Sequence, residues 1–110
     1  MSDDAERKER VRQRKLATAR ELEGRGFVDQ AVQSFLKADA PDEAARVLRS
    51  AGRPSEAAAT LLMALGVDVD GVGSLDEEKR KLAAMAADCF DAVGDKDRAG
   101  RIRAQLSGGP

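Results

Sequence analysis

Three places in this chain of 110 residues carry residue types that could do chemistry: the thiol of Cys89, the carboxylates of Asp68 and Asp70, and the basic run RKERVRQRK over residues 7–15. A nucleophilic thiol needs a base to take its proton, and the chain has no His. Cys89 also sits beside Phe90 on an apolar stripe, so it reads as a buried structural thiol. The segment GVDVDG, residues 66–71, has the GxxxxG outline of a phosphate loop. It continues with Val72 and Gly73 where Lys and Ser or Thr must stand, and it follows a helix instead of a strand. As a calcium loop it fails as well, because Val72 offers no oxygen and Lys79 occupies the place of the bidentate Glu. These residues predict a protein that is not an enzyme, with no catalytic residue, metal or cofactor.

The basic run sets six cations against Glu9 alone and could grip phosphates. Asp3, Asp4, Glu6 and Glu9 are interleaved with it and no aromatic residue is near, which predicts a solvated, ion-paired helix start. Nucleic acid is therefore disfavoured as a partner. Membrane attachment is not expected either, since Val11 is the one bulky apolar residue before Leu16 and an interfacial helix needs a whole apolar face.

Behind these residues stands a chain that is 42% hydrophobic and 35% charged, the composition of a globular domain with one modest core. Its net charge of −1 is unevenly spread. Residues 1–25 hold eight basic and six acidic side chains, residues 26–78 four and ten, and residues 79–110 seven and four. Basic ends flank an acidic middle. The opening MSDDAERKER is charged where a secretory signal would be apolar, and a single cysteine can form no internal disulfide, so a cytoplasmic protein is expected.

The elements that position these residues are helices throughout. Val28, Ala31, Val32, Phe35 and Leu36 form one stripe at helical spacing, and Leu82, Met85, Ala86, Cys89, Phe90 and Val93 form another. Shorter stripes are Ala44, Leu48 and Ala51, then Ala57, Leu61, Ala64 and Leu65. Leu16, Ala19 and Leu22 face inward from a first helix, and Ala99, Ile102 and Leu106 from a last, giving six helices. Gly24, Gly26, Gly52, Gly66 and Gly94 can close helices in the left-handed conformation, while Pro41 and Pro54 suit first turns. Ser74 and Glu77 have the spacing of a capping box that would start the fifth helix. Residues 66–73 read as a solvated loop, and 107–110 as a flexible tail or linker after a single domain over 1–106.

One pattern recurs. GFVDQAVQSFLKA at 26–38 and GRPSEAAATLLMA at 52–64 share Gly first, Ala five residues on, a large apolar residue four further and Ala three beyond that. A third copy, GDKDRAGRIRAQL from Gly94, has Ala99 but Arg103 in the large apolar place, as suits a polar terminal cap. Small residues let two helices of a hairpin approach, and stacking hairpins covers the face that each leaves apolar.

With Gly26, Ala31, Phe35, Ala38 and Pro41 in GFVDQAVQSFLKADAP, this pattern resembles the tetratricopeptide-like (TPR-like) helical repeats. The resemblance implies an all-α fold of three stacked hairpins in a short right-handed solenoid, with an irregular helical bundle as the alternative. It also implies a non-catalytic protein-interaction module, a scaffold or adaptor that holds a partner peptide or helix in the groove of the first, third and fifth helices. The groove residues are then Gln13, Arg20, Arg46, Arg49, Lys81 and Asp88. These are mostly basic, so an acidic peptide segment of another protein is the expected ligand, with a homo-oligomer left open. The chain has no Asn, so the family's carboxylate clamp is not expected. The alternative function is a regulator that contacts nucleic acid through the basic terminal helices.

Overall fold

The computed structural model describes residues 2–108, and among them every regular element is helical. The α-helices are α1 (Ser2–Gly24), α2 (Val28–Lys37), α3 (Pro41–Ser50), α4 (Pro54–Leu65), α5 (Glu77–Ala92) and α6 (Lys96–Ser107), with a 3-10 segment over Val69–Ser74. Each α-helix packs on the next in sequence, and α3 also meets α5. The result measures 43 × 37 × 15 Å, about two helix layers deep, with a radius of gyration of 15.3 Å against about 13 Å for a compact chain of this length. Twelve of the buried residues are alanines, among them Ala31, Ala44, Ala57 and Ala99, each at most 1% exposed. Close approach of helix backbones selects such small side chains, and Phe35, Leu48, Leu61 and Ile102 fill the remaining space.

The connections explain the repeat, at half the expected period. Gly26, Asp39, Gly52, Gly66 and Gly94 all have positive φ, from 56° at Asp39 to 85° at Gly26. After each, an amide donates to the carbonyl five residues back: Phe27 to Leu22, Ala40 to Phe35, Arg53 to Leu48, Val67 to Leu62 and Asp95 to Phe90. This is the Schellman closure, and α2 and α3 are each a helix plus this turn, thirteen residues in all. The 26-residue pattern in the sequence is two such units. Asp39 hides the third, because a non-glycine residue takes the left-handed place there.

Several expectations are corrected. Gly24 ends α1 in helical conformation and Gly26 alone is left-handed there. The fifth helix starts after Asp76, whose carboxylate accepts from the Lys79 amide at 2.9 Å, and not at a Ser74–Glu77 box. The Ser74 hydroxyl donates to the Gly71 carbonyl instead, inside the 3-10 segment. That segment is not a solvated loop, since Val72 is fully buried. Later elements hold it: Arg80 donates to the carbonyls of Gly73, Leu75 and Leu106, and the Gln105 amide donates to Val69. Ala51, Ala64 and Val93 are exposed, while Ala83 and Ala87 are buried in α5, because tight crossings there favour alanine over the bulkier stripe residues. Of the tail expected at 107–110, Ser107 is instead the last residue of α6, and residues 109–110 lie outside the described residues.

Two sets of substitutions check this account. Ala44→Leu is expected to destabilise by about 1–3 kcal/mol through overpacking, read from urea denaturation; an unchanged midpoint would contradict the close crossing. Gly52 is left-handed and Gly100 lies in the α6 interior, and a Cβ at either would meet nothing within 4 Å. Gly52→Ala is therefore expected to lose about 1 kcal/mol and Gly100→Ala to gain about 0.5–1 kcal/mol, opposite signs from conformation alone.

Candidate functional site

Charge pairing divides the surface in two. From Arg25 onward the cations are largely engaged: Arg53 bridges Asp29 of α2 and Glu56 of α4, Arg101 joins Asp70 to Asp97, and Arg103 joins Asp88 to Asp91. On α1, by contrast, Arg7, Lys8, Arg10, Arg12, Arg14, Lys15 and Arg20 close no ion pair among the described residues. The ion-paired helix start is thus corrected. Asp3, Asp4 and Glu6 stand four residues before Arg7, Lys8 and Arg10, but on a helix exposed on all sides such pairing gains little against side-chain entropy.

The expected groove residues scatter. Arg46 and Arg49 of α3 line one open cleft of about 540 Å³, with Asp42, Glu43, Ser50 and, from α5, Met85. Arg46 is not free there: its guanidinium takes both carboxylate oxygens of Glu23 at 2.8 Å and also contacts Glu43. This fork ties the end of α1 to α3, and it holds the Glu23 carboxyl below the usual carboxylate range, chiefly through the hydrogen bond from Arg46. Arg49 is exposed and closes no ion pair among the described residues. The remaining residues do not join the cleft. Gln13 donates to Glu9 at 2.7 Å, Lys81 pairs with Glu78, Asp88 pairs with Arg103, and Arg20 is exposed on α1.

The chemical candidates have structural explanations. Cys89 is fully buried, and desolvation pushes its thiol up, an effect that nearby Arg49 opposes and Asp88 adds to. A protonated, enclosed thiol is a poor nucleophile. The Asp68 carboxylate accepts from the Asp70 amide, and Asp70 is paired to Arg101. Among the described residues no three metal-ligating side chains converge, and no helix is long and apolar enough to cross a membrane.

A second concavity was missed in the sequence. It lies where α1 runs past the end of α2, and Arg7, Lys8, Val11, Arg12 and Lys15 face Lys37, Ala38 and Asp39 across about 380 Å³. The basic run signalled it; what the run could not show was that Lys37 would join from another helix.

In comparisons with protein-family models, with curated proteins and with solved structures, nothing matches the chain.

Acid titration checks the Arg46 fork. A carboxylate whose pKa is depressed on folding contributes stability above its unfolded value, near 4.3, and that contribution is lost as pH falls through the folded value. Wild type is expected to exceed Glu23→Gln by about 0.5–1 kcal/mol at pH 7, with the gap closing below pH 4.5. A gap that is constant with pH would mean that the fork does not hold α1 to α3.

Proposed function

We propose that the protein is a non-catalytic interaction module, TPR-like in organisation, that holds a segment of a partner protein against the cleft between α3 and α5. The observation that carries this reading is the pairing of Arg49, an exposed cation without an ion-pair partner among the described residues, with half-buried Met85 across an open cleft. Methionine is a deformable apolar contact and guanidinium a two-donor carboxylate ligand, the two elements a peptide groove needs. The cleft is close to charge-balanced, with Asp42 and Glu43 beside Arg46 and Arg49, so its ligand is a mixed segment. One carboxylate would meet Arg49, and one aliphatic or aromatic side chain would rest on Met85.

The flat form supports the same reading. A slab 15 Å deep exposes more surface than a compact domain of its length, and grooves between its helices stay open. Such a scaffold offers a partner a long contact without any bond having to be made or broken.

Selection from a random 16-residue peptide library on immobilised protein tests the reading. Expected are convergent sequences combining an acidic residue with a large apolar one. Their affinity should fall at least tenfold, about 1.4 kcal/mol, in Arg49→Glu and in Ser50→Arg, with melting temperature held. If nothing is enriched, or if the selected peptides bind both variants like wild type, the α3–α5 cleft is not a binding groove.

A further inference from the structure

α1 is far longer than the helix it packs on. Its 23 residues rise about 34 Å, against about 15 Å for the ten of α2. Leu16 and Ala19 are buried, yet every residue from Asp3 to Lys15 is exposed. Toward the start of α1, Arg12 Nε donates to the carbonyl of Ala38, which caps α2, at 3.0 Å. The first turns of α1 therefore extend beyond the length of α2.

The overhang does not present a random face. At about 100° per residue, Lys8, Val11, Arg12 and Lys15 fall within about 100° of one another, and Ala19 shares their sector. The stripe that enters the core at Ala19 therefore continues outward as cations around Val11. Leu or Ala at these places would have called for another helix of the stack; Lys and Arg call for an anionic one. Arg7 and Lys37 complete the cleft, so five cations face one carboxylate, Asp39. Arg12 and Lys37 also suit the C-terminal end of α2, where orphan carbonyls favour positive charge. That role does not reach Arg7, Lys8 or Lys15.

We propose that this cleft is a second docking surface, separate from the α3–α5 cleft, for an acidic segment of a partner protein. Carboxylates on the segment meet Lys8, Lys15 and Lys37, and one aliphatic side chain rests on Val11, which is 44% exposed. Charge complementarity selects this occupant, and the local detail favours carboxylates over a phosphate backbone. Asp3, Asp4, Glu6 and Glu9 stand on the same overhang, and Asp39 is inside the cleft, so a long polyanion meets repulsion on both sides. No aromatic side chain lines the cleft to stack a base, and the exposed Phe27 lies beyond the opposite end of α1.

Fluorescence anisotropy with two labelled probes tests this: a short 10-residue peptide with three Glu around one Leu in a Gly/Ser background, and a 20-nucleotide single-stranded DNA, both at 150 mM salt. The peptide is expected to bind more tightly than the DNA. Lys8→Glu/Lys15→Glu/Lys37→Glu is expected to weaken the peptide at least tenfold, and the milder Lys→Gln triple variant at least threefold, which guards against a folding effect of charge reversal. Wild type and triple variants are compared in the Arg49→Glu background, which closes the α3–α5 cleft to an acidic Leu-bearing peptide, so failure at that cleft and failure here remain distinct. Peptide binding that is absent, or equal in wild type and both triple variants, would overturn the proposal. DNA bound more tightly than the peptide and lost in the triple variants would reassign the cleft to phosphate.

Discussion

The left-handed residue at the end of each of the first five α-helices is the constraint on which the rest of this structure depends. It turns the chain back within two residues and lets the following amide close on a carbonyl of Leu22, Phe35, Leu48, Leu62 or Phe90. Because the α1–α2, α2–α3 and α3–α4 turns are alike, Ala31, Ala44 and Ala57 come to equivalent crossings thirteen residues apart, each without exposed surface. Alanine at a crossing brings backbones close, and closeness makes a thin slab. The one long connection departs from this unit: after Gly66 a 3-10 segment buries Val72 before α5 begins, held from α5 by Arg80 and from α6 by Gln105.

Much of this was legible in the sequence because helical spacing and glycine or proline punctuation act locally. The positions of α2, α3, α4 and α6 follow from them within a residue or two. What was not legible depends on contacts distant in sequence or on a residue in an unusual role. Asp39 concealed the thirteen-residue unit, since Asp takes positive φ far less often than Gly, though more readily than most other residues. Val72 has no periodic companions inside a 3-10 segment, and the side chains that lock it come from positions 80 and 105. Met85 and Arg49 could be placed on helices but not across from each other. Arg46 was readable as exposed, yet its partner Glu23 lies 23 residues away and takes up its donors.

The same distinction orders the surface. Arg53, Arg101 and Arg103 act as fasteners between neighbouring elements, each shared by two carboxylates. Among the described residues the cations of the first four turns of α1 close no ion pair, Arg12 donating to the Ala38 carbonyl, and they sit on a helix segment exposed from Asp3 to Lys15. A helix stabilised only by its own hydrogen bonds over about three turns is marginal in water, so the overhang has ordering to gain from a partner.

Hydrogen exchange followed by mass spectrometry, with and without the acidic Leu-bearing peptide, tests this division most directly. In the free protein, amides of residues 3–12 are expected to exchange well before those of α2 to α5, and the peptide is expected to slow the overhang while leaving α4 and α6 unchanged. An overhang as protected as α3 in the free protein, or one whose exchange the peptide does not alter, would contradict it.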